Sequence, residues 1–392
     1  MAKRVGMEVS LGVSEAVKVA DVDVIAAYPI TPQTHIVEHL AELVANGELD
    51  AEFIPVESEH SAMSSCVGSS ATGARTYTAS SSQGLALMHE ILYIVPALRL
   101  PVVMTVVNRA LSGPINIWND HSDIMSERDI GWVQTFAENG QEAFDLSVHA
   151  FRVAEDHSVL LPVIVNLDGF TLSHVVEPFE ILDRAEVAKY LPPYKPVQRL
   201  DPEHPMTMGA VGIPEVYTEA KKQYEDALVR SKSVVIQAWK EFGDLFGRYY
   251  HPVETYKTEG AETLLLTMGS VSETAMTAID KMREAGKKVG LVRFRLWRPF
   301  PFEEFFEAVK GVKTLAVMDR AMSPGGPCGP VAAEVRAALY DQPTRPKVFS
   351  FVAGLGGRDV QVSDFEEIVS RAEKYAEKGA PATYDLIGVR EI

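Results

Sequence analysis

Two glutamates beside a predicted strand-to-helix corner are the residues whose types and spacing most clearly suit chemistry. Glu57 and Glu59 lie between the apolar run 53–56 and the small residues of 61–72, with His60 beside them. Open α/β sheets bind ligands outside the carboxyl ends of their strands, where such a corner lies. The positive end of a helix also favours an ionised carboxylate. We expect at least one of these glutamates simply to cap the helix and face water, which leaves the other as a candidate for ligand binding.

Polar groups follow other predicted strands in the same way. Arg109 comes soon after the apolar run 101–107, and arginine can hold a carboxylate through two parallel hydrogen bonds. A surface ion pair with a nearby acid is an equally good interpretation of this residue. Thr31 lies between two prolines after the apolar run 22–27. It is predicted to be the N-cap of the next helix, a hydroxyl fixed in a ligand cleft, or both.

Two further polar segments are interpreted as loops. The run Asp120-His121-Ser122-Asp123 offers side chains that bind metals. Adjacent positions rarely converge on one ion without support from elsewhere, so we predict a loop at the mouth of a cleft. The run Gly269-Ser270-Val271-Ser272 precedes a predicted helix but lacks the spacing of a Walker or dinucleotide loop. We interpret it as a turn and a helix cap.

The elements that must position these side chains repeat in a strand–helix pattern. Near-continuous apolar strands, as at 101–107 and 160–168, are typical of a parallel sheet covered on both faces. The alternation of strands and helices predicts an α/β protein with two doubly wound domains. We predict the first domain over 1–175, a Pro-rich connector and charged helix over 176–258, and the second domain over 259–392.

Composition excludes several classes of protein. The chain has 392 residues and a net charge of −17, which argues against nucleic acid or an anionic membrane as a partner. Its two cysteines, Cys66 and Cys328, form no CxxC, which argues against a disulfide framework or an iron–sulfur cluster held by this chain alone. No apolar run approaches the roughly 20 residues that span a bilayer, and the N-terminus lacks a signal-peptide core. We therefore expect a cytoplasmic protein.

Four spaced motifs resemble the alpha subunit of multi-subunit 2-oxoacid:ferredoxin oxidoreductases, most closely that of the pyruvate enzyme. In chain order they are Tyr28-Pro29-Ile30-Thr31-Pro32, Val56-Glu57-Ser58-Glu59-His60-Ser61-Ala62, Asn108-Arg109-Ala110 and Arg295-x-x-Arg298-Pro299-Phe300-Pro301. The resemblance covers nearly the whole chain. It implies that the first domain has the fold that binds the pyrimidine half of thiamine diphosphate. It also implies that the second domain resembles the C-terminal domain of transketolase.

The resemblance implies a role in cofactor binding for the first two motifs. Glu59 would face the ring nitrogen of the aminopyrimidine and stabilise its protonated form, with Glu57 as the alternative. Pro29 and Ile30 would contact the same cofactor. A carboxylate at this place is what the chemistry of thiamine diphosphate requires.

The implied reaction is the oxidative decarboxylation of pyruvate with coenzyme A to acetyl-CoA and CO2. Electrons would pass reversibly to ferredoxin, and Arg109 and Thr31 would contact the carboxylate end of the 2-oxoacid. Enzymes for a branched-chain 2-oxoacid or for 2-oxoglutarate share this frame, and one side chain at the pocket wall can switch the substrate. The sequence is also compatible with a non-catalytic nucleotide-binding scaffold subunit and with a transketolase-like enzyme that transfers no electrons.

Features that the sequence lacks indicate partner chains. There is no Gly-Asp-Gly with a downstream Asn, the usual magnesium–diphosphate site of thiamine enzymes, and there are no cysteine sets for clusters. We therefore expect beta-, gamma- and delta-type subunits to supply the magnesium site, the iron–sulfur clusters and much of the coenzyme A site. No metal site is expected in this chain.

Overall fold

The computed structural model describes residues 3–390, which form two α/β units and a helical connector. The strands are β1 (Lys3–Glu8), β2 (Val24–Ala27), β3 (Glu52–Pro55), β4 (Thr76–Ser80), β5 (Val103–Asn108), β6 (Val133–Phe136), β7 (Val163–Asp168), β8 (Val176–Ile181), β9 (Val253–Tyr256), β10 (Thr263–Met268), β11 (Val289–Phe294), β12 (Leu296–Arg298), β13 (Thr314–Asp319), β14 (Lys347–Val352) and β15 (Asp385–Leu386). The helices are α1 (Val9–Val19), α2 (Thr34–Ala45), α3 (Glu59–Ala71), α4 (Ser82–Leu92), α5 (Ile94–Ala97), α6 (Ser122–Ser126), α7 (Gly140–Ala154), α8 (Arg184–Val187), α9 (Pro214–Phe246), α10 (Val271–Glu284), α11 (Phe302–Ala308), α12 (Pro330–Leu339) and α13 (Val362–Lys378).

The first unit is built on a seven-stranded sheet with the order β12-β6-β7-β5-β4-β2-β3. All neighbouring strands are parallel except β12, which runs antiparallel to β6. Strands β4, β5 and β7 are buried along their whole length, because helices cover both faces of a parallel sheet. Their carboxyl ends therefore meet at one edge of the sheet.

The second unit is built on a six-stranded sheet with the order β15-β14-β13-β10-β11-β9. Only β9 is antiparallel to its neighbour in this sheet. A separate antiparallel pair, β1 and β8, lies outside both sheets. The prediction of an α/β protein with doubly wound sheets is thus confirmed.

One apolar core is shared between the two units. It contains buried residues of α3 and α4 from the first unit together with residues of β11, α11 and α12 from the second. A second core packs α1, α2, α7 and α9 on the other face of the first sheet, and a third packs α10 and α13 on the second sheet. The two units are therefore stacked, with a common apolar layer between them.

Buried ion pairs also fasten the units together. The Glu142 carboxylate accepts two hydrogen bonds of 3.0 Å from Arg293 and one of 2.5 Å from Arg295. Arg298 donates from Nε to the carbonyl of Arg128 at 3.1 Å. The two arginines of the fourth motif thus join the second unit to the first.

The structure adds strands that the sequence analysis missed, namely β1, β6, β8, β9, β12 and β15. The connector begins with β8, which pairs with β1. The predicted charged helix is present as α9, with a proline at its first turn and Gly247 in the left-handed conformation (φ 75°) at its C-cap. The boundaries at 175/176 and 258/259 stay predictions.

Within residues 3–390, no helix combines the length and the apolar character that a bilayer crossing requires. Both cysteines are buried and free.

Candidate functional site

The two candidate glutamates at the corner between β3 and α3 lie in different environments. Ser58 is the N-cap of α3, and its hydroxyl accepts a hydrogen bond of 3.2 Å from the Ser61 N–H. Glu57 is exposed and accepts a hydrogen bond from the Ser61 hydroxyl, which lowers the pKa of this carboxyl. Glu59, the first residue of the helix, is only 7% exposed. Glu57 therefore faces water, as expected for one of the two glutamates, but the prediction that a glutamate caps the helix is wrong, because Ser58 is the N-cap.

The Glu59 carboxylate lies against small residues at the end of β4. A Cβ atom at Gly84 would come within 2.6 Å of Glu59 Oε1 and 2.7 Å of the Ser80 hydroxyl, so only glycine leaves room for this carboxylate. The Ser80 and Ser81 hydroxyls are buried and have no hydrogen-bond partner among residues 3–390. Likewise, no group in that range donates a hydrogen bond to the Glu59 side chain. Burying the two hydroxyls is costly unless a ligand satisfies them.

The loop after β2 is shaped by a side chain that the sequence analysis did not select. Gln33 is completely buried; its Oε1 accepts from the Ile30 N–H at 3.1 Å, and its Nε2 donates to the Ala79 carbonyl at 2.8 Å. Pro29 and Thr31 are exposed, and Ile30 is half-buried. The prediction that Thr31 caps the following helix is wrong, because Gln33 is the N-cap of α2 and makes no side-chain capping bond.

Arg109 is buried and held by backbone carbonyls. Its Nη1 donates to the Thr31 carbonyl at 2.9 Å and its Nε to the Asn116 carbonyl at 2.8 Å. The Arg109 backbone N–H donates to Asp123 Oδ2 at 2.9 Å. Burial lowers the pKa of the Arg109 guanidinium, and the Asp123 charge opposes this shift. The alternative of a surface ion pair is wrong: the side chain is 8% exposed, and Nη2 has no protein partner in the described part of the chain.

The side chains of the acidic loop diverge to different partners. Asp120 accepts from the N–H of Ser122 at 2.9 Å, whereas His121 Nε2 lies 2.7 Å from Asp168 Oδ1. Asp123 accepts from the backbone N–H groups of Arg109 and two other residues; burial raises the pKa of this carboxyl to about 7, and these donors oppose the shift. The loop prediction is confirmed only for Asp120 and His121, because Ser122 and Asp123 form the first turn of α6. The four side chains have different partners and do not converge on one point.

Asp168, at the end of β7, links the two units. Its carboxylate accepts from the Ser270 N–H at 2.9 Å and from Arg320 Nη1 at 3.0 Å. Burial raises the pKa of Asp168, but the charges of Arg320 and His121 outweigh it and hold the pKa below the ordinary value. The prediction of a turn and a helix cap is confirmed in position, since Gly269 has φ 75° and Ser270 is the N-cap residue of α10. The Ser270 hydroxyl, however, makes no capping bond and donates to Asp168 instead.

One group of possible metal ligands does occur in the described residues. One ligand atom each from Glu8, His35 and His174 lie within 4.8 Å of one another. Glu8 and His35 already share a hydrogen bond of 2.7 Å, and His174 Nδ1 lies 2.7 Å from the Ser173 hydroxyl. These bonds account for the cluster, so we assign it no ligand.

Three residues that position the site were missed at the sequence level. Gly84 belongs to the small-residue run after β4, and that run was the available signal for it. Gln33 and Asn116 gave no signal, since each acts through contacts with distant segments, Asn116 with Gly356 at a separation of 240 residues.

Comparison with known proteins shows the family to which this chain belongs. The model of the family described as "Pyruvate flavodoxin/ferredoxin oxidoreductase, thiamine diP-bdg" matches residues 15–240. The model described as "Pyruvate:ferredoxin oxidoreductase core domain II" matches residues 261–365.

Individual relatives agree with the family models. Pyruvate synthase subunit PorA from Methanocaldococcus jannaschii is 51% identical over 364 residues, which is 92% of each chain. Ketoisovalerate oxidoreductase subunit VorA from Pyrococcus horikoshii is 45% identical over 362 residues, 92% of this chain and 91% of that one. The solved 2-oxoglutarate:ferredoxin oxidoreductase from Magnetococcus marinus, with 2-oxoglutarate, coenzyme A and succinyl-CoA bound, shares the fold at a TM-score of 0.70 and 18% identity. That match covers 96% of this chain and 66% of the solved chain.

Proposed function

Because the chain belongs to the pyruvate flavodoxin/ferredoxin oxidoreductase family, we propose that it is the thiamine-diphosphate-binding alpha subunit of a pyruvate synthase. The complete enzyme oxidatively decarboxylates pyruvate with coenzyme A to acetyl-CoA and CO2 and passes the electrons reversibly to ferredoxin. The chain is an enzyme subunit of the pyruvate:ferredoxin oxidoreductase type. The two family models of this enzyme together match most of its length.

The observation that carries this proposal is the buried Glu59 carboxylate beside Gly84. Glu59 has no protein hydrogen-bond donor in residues 3–390, and the nearby Ser80 hydroxyl is also unsatisfied, as is the hydroxyl of the next residue, Ser81. These groups fit the polar edge of an aminopyrimidine ring. In our proposal Glu59 accepts a hydrogen bond from the ring nitrogen, and the loop of Pro29 and Ile30 borders the cofactor.

Thiamine diphosphate, when bound, supplies a carbon nucleophile for the keto group and an acceptor for the electrons freed as CO2 leaves. The contribution of this chain is to hold charge in place. Glu59 presents a carboxylate at one position of the cofactor site, because it is the first residue of α3, where the positive end of the helix favours an acidic side chain. A carboxylate in such a place fixes the protonation state of the group it faces.

Arg109 is proposed to bind the carboxylate of the 2-oxoacid. Its Nε and Nη1 are fixed by the carbonyls of Asn116 and Thr31, so the plane of the guanidinium cannot rotate freely. The Nη2 group, which has no partner in residues 3–390, remains available to the substrate. Arginine stays protonated under all ordinary conditions, which suits it to this role.

Partner subunits complete the proposed enzyme. Beta-, gamma- and delta-type chains would supply the magnesium–diphosphate site, the iron–sulfur clusters and much of the coenzyme A site, and ferredoxin would accept the electrons. The missing Gly-Asp-Gly motif and the two isolated cysteines support this division of labour. The net charge of −17 argues against nucleic acid or an anionic membrane as a partner. We propose a cytoplasmic location for the complex.

The test replaces each of the two glutamates in the assembled complex. We expect Glu59→Gln to lower pyruvate-dependent viologen reduction by at least roughly 100-fold, because the neutral amide cannot hold the charge at the cofactor. Glu57→Gln is the matched control, since Glu57 is exposed, and it should keep its activity. Bound thiamine diphosphate is measured separately, after denaturation. Equal activity of the two variants would contradict the assignment, and turnover by the isolated chain would contradict the need for partner subunits.

A branched-chain 2-oxoacid is the second candidate substrate, because the ketoisovalerate relative is nearly as similar as the pyruvate relative. The assembled complex should be assayed with pyruvate, 2-oxoisovalerate and 2-oxoglutarate. The proposal expects the highest kcat/KM with pyruvate. A higher value with 2-oxoisovalerate would reassign the substrate and leave the cofactor site unchanged.

A further inference from the structure

The loop that holds Arg109 is clasped by a turn of the second unit. Asn116 Nδ2 donates to the Gly356 carbonyl at 3.1 Å, and the Gly356 N–H donates to Asp120 Oδ2 at 3.2 Å. The Gly357 N–H donates to the Asn119 carbonyl at 2.6 Å. We call these three hydrogen bonds the clasp. They join residues that lie about 240 positions apart in the chain.

Both glycines of the clasp are required by their surroundings. Gly356 has φ 58°, and a Cβ atom there would lie 2.5 Å from Asn116 Nδ2. Gly357 has φ 79°, and its Cβ would lie 2.3 Å from the Cβ of Trp118. Left-handed backbone and contact at this distance each exclude an ordinary side chain. The close approach of the two segments therefore depends on these two positions.

Asn116 belongs to the clasp and to the arginine site at once. Its backbone carbonyl accepts from Arg109 Nε at 2.8 Å, while its side-chain Oδ1 accepts from the Trp118 N–H at 2.6 Å. The Trp118 carbonyl in turn accepts from the Ala110 N–H at 3.0 Å, which closes the base of the loop. The side chain of Asn116 thus sets the position of its own carbonyl relative to both units.

We propose that Asn116 is a positioning residue through which the second unit aims the Arg109 guanidinium at the substrate carboxylate. This inference rests on the proposed function, in which Arg109 binds the 2-oxoacid. Asn116 does not touch substrate; it fixes one of the two hydrogen bonds that orient the guanidinium plane. The turn at Gly356 is then part of the substrate site, although it lies on the other sheet.

The test uses the assembled complex and two variants that open the clasp from opposite sides. Asn116→Ala keeps the backbone carbonyl but removes both side-chain hydrogen bonds, and Gly356→Ala introduces the excluded Cβ. Each should raise the KM for pyruvate by roughly 10-fold or more, with a smaller change in kcat and an unchanged content of thiamine diphosphate, because misplacement of a substrate-binding group weakens binding. Gly311→Ala is the matched control: Gly311 also has positive φ (76°), but its Cβ would meet nothing within 4 Å.

Arg109→Ala separates this inference from the proposed function. If Arg109→Ala raises the KM for pyruvate, Arg109 binds substrate, and the double variant with Asn116→Ala should then show no further increase, since both changes remove one interaction. Unchanged KM in Asn116→Ala and Gly356→Ala, or additive effects in the double variant, would overturn the positioning role. An unchanged KM in Arg109→Ala itself would overturn the substrate role of Arg109, and the inference with it. If Asn116→Ala does not assemble, Gly356→Ala decides the question from the other side.

Discussion

The Glu59 carboxylate fits in its place because the neighbouring residue, Gly84, has no side chain. The carboxylate is buried at the start of α3, and the nearest neighbouring position carries no side chain. A buried charge without a protein partner is unfavourable in a folded chain, so the site retains it for a ligand. The space left at Gly84 and the carboxylate of Glu59 therefore depend on each other, and a substitution at Gly84 tests both.

We predict that Gly84→Ala weakens the retention of thiamine diphosphate. The added methyl group would lie 2.6 Å from Glu59 Oε1, which forces the carboxylate to move. A displacement of this kind costs roughly 10- to 100-fold in activity. Bound cofactor and viologen reduction are both measured on the assembled complex. Gly68→Ala on the neighbouring α3 is the control, because its Cβ would meet nothing within 4 Å. Full cofactor content in Gly84→Ala would show that the contact is unimportant.

At the scale of elements, the long helix α9 is attached to the first unit by aromatic stacking. His149 of α7 is buried against Trp239, with ring centroids 5.0 Å apart, and its Nδ1 lies 2.7 Å from the Tyr190 hydroxyl. Burial, together with the charge of Arg152, lowers the pKa of His149 to about 3. The imidazole is therefore neutral in the folded chain at pH values where an exposed histidine is charged.

This burial predicts a pH dependence of stability. The folded-state pKa lies below the ordinary value of 6.5, so the unfolded chain binds the extra proton first and stability falls as the pH drops below about 6.5. Between pH 7 and pH 5 the loss from His149 amounts to about 2 kcal/mol. His149→Phe should remove that part of the slope in urea titrations of the full chain, whereas the exposed His204→Phe should not. Equal slopes in both variants would contradict the prediction.

The elements that the sequence predicted are those whose signal is local. Apolar runs such as Val103–Asn108 and Thr263–Met268 are buried on both faces, so their composition alone identifies them. The short strand Leu296–Arg298 was missed, because it is defined by its pairing with β6 and not by its own pattern. Pairing between strands that are distant in the sequence produces no periodic pattern of apolar residues.

The same distinction applies to the site. Glu59 and Arg109 were predicted because each follows a recognisable strand. Their burial in the structure then distinguished Glu59 from the exposed Glu57 and excluded a surface ion pair for Arg109. Gln33 and Asn116 act on the backbone of segments that are distant in sequence, so neither spacing nor residue type distinguishes them from ordinary loop residues. The wrong prediction of Thr31 as a cap has a similar origin. Gln33, whose side chain is bonded to the distant Ala79 carbonyl, is the N-cap of α2 in place of Thr31.

At the scale of the whole molecule, Glu142 is the strongest test of how the units are joined. Burial raises the pKa of this carboxyl, but Arg295 and Arg293 outweigh it and lower the pKa to about 2. The stabilisation is complete above about pH 4.5 and is lost as the pH falls toward 2, because the unfolded chain takes up the proton first.

We predict that Glu142→Gln destabilises the chain by about 3–5 kcal/mol at pH 7. The substitution removes the carboxylate that the two buried arginines share, so that Arg293 keeps only Glu138 and Arg295 only Glu254 as an acidic partner. Removing one partner of a buried ion pair is the costly way to break it. The free energy of unfolding is measured in urea. Glu219→Gln on the exposed face of α9 is the control, since Glu219 makes no ion pair among residues 3–390. A loss below about 1 kcal/mol, as at a surface pair, would contradict the assignment.

Strand β12 has a consequence for how this chain is made. It closes the open border of β6, yet it is synthesised about 160 residues later, after the first three strands of the second unit. Until then β6 is paired only with β7, and its other edge is free to pair with a strand of another chain. The order of translation thus leaves this edge open until the second unit has been partly made, and a first unit produced alone would keep the edge open.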